Sequence, residues 1–406
     1  MPQPLPTSFA PLAWANLAAQ SAEQLSLAAA PIAAVLLLGA GAGETGLLAT
    51  AQTLPFLLLS IPLGLLADRG SRRQLMIGSE VLRTVALLAL FATVFSGHAT
   101  LEWLAIAGFV AAIGTVGFSG AAPALVPSLV PVARLAEANT RLELARSVAF
   151  AGGPAIAGAI VAWSGASFAF LVAGLMSTAA IVLLRRLPEP VRAASPKRHP
   201  LAELRQGAQL VWRHALLRPV LLTAIAWNIA WFVLQAAYVP YAMRTLGMNA
   251  SGVGITLACY GLGMVIGALL ARSAIGSMRF GHALLVGPAV SVAASSTMVA
   301  TLLWPRPLLA AFSFFLFGVG PILWTITSTT LRQTVTPGAM MGRVSSIFLA
   351  VNAGARPVGA ALGAWVGATW GEPACLVLAL AGFVIQAAII FASPFRSLER
   401  LPTVVA

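Results

Sequence analysis

The chain has 406 residues, of which 59% are hydrophobic and only 9% are charged. A soluble domain carries about 25% charged residues, and here apolar runs of about 18 or more residues recur along the whole length. A soluble core is therefore excluded and membrane-spanning helices are predicted, because such runs satisfy their own backbone in lipid. The net charge of +13 lies mostly in short links between the runs, which argues against nucleic-acid binding.

The apolar runs predict an all-α membrane protein with twelve transmembrane helices. The helices are expected at residues 11–38, 45–67, 74–96, 100–126, 139–163, 166–186, 219–244, 251–273, 281–304, 307–332, 341–366 and 371–393. The long basic link divides the chain into an N-terminal six-helix bundle (1–186), a linker with an amphipathic helix (187–218), and a C-terminal six-helix bundle with a short tail (219–406).

Lysine and arginine residues indicate the orientation of these helices. The links after helices 2, 4, 6, 8 and 10 carry most of the basic residues, whereas the opposite links carry only Arg244 and Arg306. Both termini and the central linker are therefore expected on the cytoplasmic side.

An internal repeat supports the division into halves. After a shift of 203 residues (267 − 64), Gly64 falls on Gly267, so that GLLADR aligns with GALLAR. Pro154 falls on Pro357 at the same offset. Two separate matches at one offset predict two pseudo-repeated six-helix bundles, an arrangement common in secondary transporters.

Two motifs carry a family resemblance. GLLADRGSRR, between predicted helices 2 and 3, resembles the cytoplasmic-turn motif of the major facilitator superfamily. ELRQGAQLVWRHALLRP, residues 203–219, resembles the central linker of the enterobactin-exporter and macrolide-efflux branch of that superfamily. The resemblance implies the major facilitator fold, location in the bacterial inner membrane, and alternating access, in which two bundles rock around a central cavity. Efflux members of the family usually exchange protons for substrate.

The cytoplasmic-turn motif contains the only aspartate of the chain. The resemblance implies that this cluster latches the two bundles together and releases them during transport. The alternative is that its arginines only fix the topology, and the two interpretations are compatible. The residues of the expected latch are Gly64, Asp68, Arg69, Arg72 and Arg73.

Glu23 is the candidate for proton coupling because it lies deep in predicted helix 1. A carboxyl group inside the membrane is costly, and it marks a functional site by default. Asn16, Gln20 and Glu23 follow at i, i+4 and i+7 and share one helical face, so both amides are candidates for a substrate cavity. The alternative is a hydrogen-bonded glutamic acid that only holds helices together.

Polar and aromatic residues of other helices are further candidates for lining the cavity, because ligand pockets combine apolar and aromatic walls with a few polar groups. These candidates are Arg146, Asn228, Trp231, Gln235, Asn352 and Arg356. Arg356 could bind an anionic or catechol-like group, or it could pair with a carboxylate. For Arg146, snorkelling and local pairing with Glu143 are the alternative. For tryptophan, the alternative is an interface anchor.

GGPAIAG in predicted helix 5 resembles the antiporter motif of the superfamily. Gly153, Pro154 and Gly158 match that motif, while Ala149 and Ala157 replace two of its glycines. The motif also has a simple packing interpretation, because small residues let helices approach closely and proline removes one backbone hydrogen bond.

The function expected from the sequence is proton-coupled efflux of a small amphiphilic or aromatic compound, of the drug or siderophore type, by a monomeric transporter. An importer or facilitator on the same fold and a non-transporting membrane receptor remain alternatives. An enzyme is not expected, because nucleotide-binding and nucleophile motifs are absent from the sequence. No cofactor and no metal site are expected. The expected partners are the substrate, protons and the lipid bilayer.

Overall fold

The computed structural model describes residue 6 and residues 9–131, 134–188, 200–337 and 340–399. The side chains at 65, 68, 69, 136, 200–204, 272, 274–276, 396 and 397 are not described. Within these ranges the regular structure is entirely helical. The helices are α1 (Ala10–Leu38), α2 (Ala42–Arg69), α3 (Arg72–Phe95), α4 (Leu101–Leu129), α5 (Leu135–Ser164), α6 (Ala166–Arg185), α7 (Pro200–Arg213), α8 (Leu217–Arg244), α9 (Ala250–Gly276), α10 (Phe280–Ala300), α11 (Pro307–Val335), α12 (Met341–Phe391) and a closing 3₁₀ helix (Pro394–Ser397).

Helix α12 contains two membrane spans. Gly371 interrupts its 51 residues with φ 78° and ψ −177°, a conformation that glycine adopts without the penalty a side chain would bring. The arms 341–370 and 372–391 are each long enough to cross a bilayer. In the described part of the chain, eleven helices are long and apolar enough to span a membrane, and α12 counts twice. The prediction of twelve membrane spans is confirmed.

Helix α7 is the expected amphipathic linker helix, so predicted helices 7–10 correspond to α8–α11. The observed helix ends lie within about four residues of their predicted positions, some beyond and some short of them. The start of α3 shows why the chain turns where it does. Ser71 is extended, with φ −69° and ψ 115°, and its hydroxyl accepts a hydrogen bond from the Gln74 amide at 3.1 Å. This contact satisfies one of the unpaired amides at a helix N-terminus.

The chain forms two compact units. Unit 1 comprises Met1–Ala40, Leu47–Pro196 and Met248–Ala258. Its interior contains a cluster that includes Leu12, Phe118, Leu125 and Leu184, each almost fully buried. Between membrane spans such side chains stabilise the unit through close van der Waals packing rather than by leaving water.

Unit 2 comprises Gly41–Gly46, Lys197–Gly247 and Cys259–Ala406. Its interior includes a cluster to which α7 contributes Val211, α8 contributes Leu217, and α12 contributes Val344 and Ile390. The linker helix is therefore packed into this unit through an apolar side chain. The short start of α2 groups with unit 2, and the start of α9 groups with unit 1.

Candidate transport site

Glu23 lies at the middle of α1, with about 20 Å of helix on either side at 1.5 Å per residue. Glu23 and Gln20 are half-buried, and the Ser26 hydroxyl donates to the Glu23 backbone carbonyl at 2.9 Å. Asn16 differs from them: only 5% of it is exposed, and its amide donates to the Leu142 carbonyl of α5 at 3.1 Å. Asn16 thus connects α1 to α5.

The antiporter-like motif lies where α5 crosses α1 and the start of α9. A Cβ atom added at Gly153 would lie 2.5 Å from Cβ of Gln24, the neighbour of Glu23. A Cβ at Gly158 would lie 2.4 Å from the carbonyl oxygen of Ala250 and 2.9 Å from Cα of Gly254. Only glycine permits these distances, so the motif sets how closely α5 approaches the helix that carries Glu23.

Two arginines of the cytoplasmic-turn motif contact the C-terminal parts of three helices within unit 1. Arg72 donates from Nη1 to the Ala124 carbonyl of α4 and from Nε to the Ala67 carbonyl of α2, the latter at 3.4 Å. Arg73 donates from Nη1 to the carbonyl of Leu187, just after α6, at 2.8 Å. Cations at helix C-termini are favoured by the helix dipole. The two arginines therefore join α3 to its neighbours.

Two members of the expected latch, Asp68 and Arg69, have side chains that lie outside the described residues. The backbone of α2 runs through both positions. Gly64 is half-buried, and a Cβ added there would meet nothing within 4 Å. The place of Gly64 in the expected latch stays a prediction.

Arg146 is largely exposed and lies in a local ion pair. Its Nη2 is 3.0 Å from Oε1 of Glu143, and its guanidinium lies 5.6 Å from the centre of the Phe150 ring. This is the local pairing that the sequence offered as the alternative to a cavity role. Exposed pairs of this kind are usually worth about 0–1 kcal/mol.

Unit 1 also contains a buried charged network that centres on α3. Glu80 is 0% exposed and Arg83 is 2% exposed, and they form an ion pair at 2.8 Å on α3. Arg83 also donates to the Ala19 carbonyl of α1 at 3.0 Å and to the Thr115 hydroxyl of α4 at 2.9 Å. Ser177 of α6 donates to Glu80 Oε2 at 2.6 Å. The network connects α3 to α4, α6 and α1, the helix that carries Glu23.

In unit 2 two cavity candidates form a hydrogen bond. Asn228 of α8 donates from Nδ2 to Oδ1 of Asn352 on α12 at 3.1 Å, and also to the Ala224 carbonyl at 2.9 Å. Glycines of α12 allow this approach, since a Cβ at Gly359 would lie 2.5 Å from the Ile229 carbonyl oxygen. Each asparagine lies about 17 Å from the start of its helix, which places the pair near mid-span.

An aromatic cluster surrounds the middle of α8. Trp231 is only 7% exposed, and its ring lies 5.2 Å from Phe317 and 5.9 Å from Phe314. Its outer neighbours are Trp227, stacked at 5.3 Å with an interplanar angle of 11°, and Tyr260 of α9 at 5.0 Å. Both are half-buried. Trp231 is therefore the buried part of the cluster. Trp227 and Tyr260 are its half-buried part and form an aromatic surface.

The indole N–H of Trp227 is buried and has no hydrogen-bond acceptor among the described residues. An unpaired buried donor costs about 1–3 kcal/mol, so this group is suited to an acceptor supplied from outside the chain.

Arg356 lies one turn beyond Asn352 and is half-buried, and Gln235 is half-buried two turns beyond Asn228. The structure thus places Trp227, the asparagine pair and Arg356 on two adjoining helices.

Twelve apolar spans with polar groups at mid-span define a multi-span membrane protein. A family model described as Major Facilitator Superfamily matches residues 12–360. The chain belongs to the Major Facilitator Superfamily, a family of membrane transporters.

Curated relatives extend this result. The chain is 30% identical over 261 residues to an uncharacterised MFS-type transporter, y4rN, of Sinorhizobium fredii, covering 61% of each protein. It is 26% identical over 313 residues to the enterobactin exporter EntS of Citrobacter koseri, covering 75% of this chain and 72% of that protein. The first of these matches therefore spans less than two thirds of the relative's length.

Solved structures share the fold. A POT family transporter in complex with 5-aminolevulinic acid matches with a TM-score of 0.77 and 13% identity, covering 96% of both chains. A bacterial homologue of the iron transporter ferroportin, in an inward-facing state, matches with a TM-score of 0.74 and 16% identity over 95% of this chain and 98% of that one. At these identities the likeness concerns the fold alone.

Proposed function

We propose that the protein is a secondary active exporter of small aromatic amphiphiles, driven by proton antiport with alternating access in a bacterial inner membrane. The observation that carries the proposal is the position of Glu23 at the middle of an apolar span, directly beside the close crossing of α5 over α1. A carboxyl group at that depth is energetically costly, so its presence there indicates a function. It can take up and release a proton.

The substrate class follows from the polar and aromatic groups of unit 2. Trp227 and Tyr260 offer half-buried ring surfaces, and aromatic pairs contribute about 0.5–1.5 kcal/mol beyond the area they bury. Asn228 and Asn352 offer amide groups near mid-span, where secondary transporters bind their substrates. Arg356 adds a permanent positive charge one turn away. Aromatic compounds with acidic or catechol groups match this set.

The relatives favour export over import. EntS is described as an enterobactin exporter, and export of an aromatic compound agrees with the combination of aromatic surface, amides and arginine in this chain. We propose a compound of this class for the present chain, with proton entry at Glu23 coupled to its release.

The proposal is tested with purified protein in liposomes that contain a pH-sensitive dye. A proton gradient is imposed, and catechol siderophores, lipophilic cations and macrolides are added one at a time. We expect substrate-dependent proton movement that is lost in Glu23→Gln and retained in Glu137→Gln, since Glu137 lies in exposed ion pairs at the start of α5. Substrate flux without proton movement in the unmodified protein would make it a facilitator. Full coupling in Glu23→Gln would remove Glu23 from the mechanism.

A further inference from the structure

A cavity of about 310 Å³ opens in unit 2, away from the candidate transport site. It lies where the end of α7, the start of α8 and the end of α12 meet. Three of its lining side chains are basic or can become so, none is acidic, and the rest include apolar groups of α8 and α12. The lining residues are Trp212, Arg213, His214, Ala215, Arg218, Pro219, Leu222, Ile389, Ala392, Ser393 and Pro394.

The basic side of the cavity is held in place by local contacts. The guanidinium of Arg218 lies 4.7 Å from the centre of the Trp212 ring, a cation–π contact that orders a long side chain before any ligand arrives. Nδ1 of His214 accepts hydrogen bonds from the amides of Leu216 at 3.2 Å and Leu217 at 3.3 Å. The neutral ring must therefore carry its proton on Nε2, which is left as a donor.

The apolar side of the cavity is formed by the terminal turns of two membrane spans. Leu222 lies in the second turn of α8, and Ile389 lies in the last turn of α12. Trp212 is exposed, as tryptophan commonly is at the boundary between membrane and water. A ligand here meets positive charge on one side and hydrocarbon on the other, which is the chemistry of a phospholipid at its headgroup.

We propose that this cavity binds the headgroup of an anionic phospholipid, with its phosphate between Arg213 and Arg218 and its first acyl methylenes against Leu222 and Ile389. The cavity of about 310 Å³ accommodates the phosphate, its glycerol and the first methylenes, so the rest of each acyl chain extends along the outer surface of α8 and α12. Lipid in this position connects the linker helix α7 to the membrane and stabilises the packing of α7 against α8 and α12 within unit 2.

The test is native mass spectrometry on the delipidated full-length protein in detergent. Dioleoylphosphatidylglycerol, dioleoylphosphatidylethanolamine and inorganic phosphate are titrated separately. We expect one tightly held phosphatidylglycerol per chain, with weaker retention of phosphatidylethanolamine. Two arginines at a membrane surface predict roughly a 30-fold loss of phosphatidylglycerol affinity in Arg213→Gln/Arg218→Gln. Trp212→Ala, which keeps both charges but frees Arg218, is expected to show a smaller loss.

The matched control is Arg185→Gln/Arg186→Gln, which removes two exposed positive charges at the end of α6 in unit 1. An equal loss of phosphatidylglycerol in this control would show that only overall charge attracts the lipid and would overturn the proposal. Unchanged affinity in all variants would also overturn it. Displacement of the lipid by inorganic phosphate at equal concentration would identify a site for soluble anions instead. Circular dichroism and size-exclusion profiles verify that each variant is folded.

Discussion

Gly153 of α5 lies so close to Gln24 of α1 that a Cβ atom on the glycine would come within 2.5 Å of the glutamine Cβ. The neighbouring Gly152 has its nearest such contact at 3.8 Å, on Ile156 of its own helix. Two adjacent glycines of one helix thus have different roles. Gly153 sets the separation of two helices, and Gly152 does not.

The first prediction compares these two glycines. Gly153→Ala is expected to force α5 away from α1 and to destabilise the protein by about 1–3 kcal/mol, as overpacking does. Gly152→Ala is expected to be neutral or to stabilise it by up to about 1 kcal/mol, because alanine favours helix. Thermal unfolding in detergent measures both. A thermal midpoint of Gly153→Ala as high as that of Gly152→Ala would show that α5 can move away from α1 without loss of stability.

The second prediction concerns the buried pair of Glu80 and Arg83. Arg83→Met leaves a carboxylate without its cation in the interior and is expected to cost about 3–5 kcal/mol. Glu80→Gln/Arg83→Met is expected to cost less than the sum of the two single changes, because no charge then remains buried. Chemical unfolding of the four proteins forms a double-mutant cycle. Additive losses would mean that the two side chains do not stabilise each other.

The third prediction separates a substrate role of Asn228 from a packing role. Loss of a hydrogen bond to substrate in Asn228→Ala is expected to raise the KM for transport about two- to tenfold. Asn352→Ala is expected to have a similar effect, since the two amides form one hydrogen-bonded pair. The control is Gln333→Ala, which removes an exposed amide of α11. A lower unfolding midpoint with unchanged KM would assign the asparagines to packing alone.

Long apolar runs predicted the membrane spans because a helix in lipid requires little beyond its own hydrophobic residues. The pairing of side chains could not be predicted in the same way. Asn228 and Asn352 were each candidates, yet 124 residues separate them, and only the packing of α8 on α12 brings them together. Spacing along one helix likewise suggested Trp231 as a cavity residue. Its burial depends on Phe314 and Phe317 of α11, which the sequence of α8 does not reveal.

The charged network shows the same limit. Glu80 and Arg83 at i, i+3 are the pattern of an ordinary intrahelical pair, which the sequence analysis of a single helix cannot distinguish from a buried one. The partners that complete the network are a carbonyl of α1 and hydroxyls of α4 and α6. Serine and threonine are frequent in every helix, so no pattern marked Thr115 or Ser177. Tyr260 was missed for the same reason, because it stands alone in the apolar run of α9.

The fourth prediction concerns pH and the cap on α8. Burial lowers the pKa of His214, and its neutral Nδ1 accepts the amides of Leu216 and Leu217. As pH falls, the histidine of the unfolded chain is protonated first, at about pH 6.5. The stability that the cap contributes is therefore complete above that pH, and it is lost as pH falls toward the lowered pKa of the folded protein. We expect the thermal midpoint of the unmodified protein to fall between pH 8 and pH 5. The midpoint of His214→Asn is expected to fall less, because its amide oxygen accepts a hydrogen bond at every pH. A helix cap is typically worth about 1 kcal/mol of stability. The control is His98→Asn in an exposed link, whose thermal midpoint should change with pH as that of the unmodified protein does. Identical pH profiles for all three proteins would contradict the role of His214 as a pH-dependent cap.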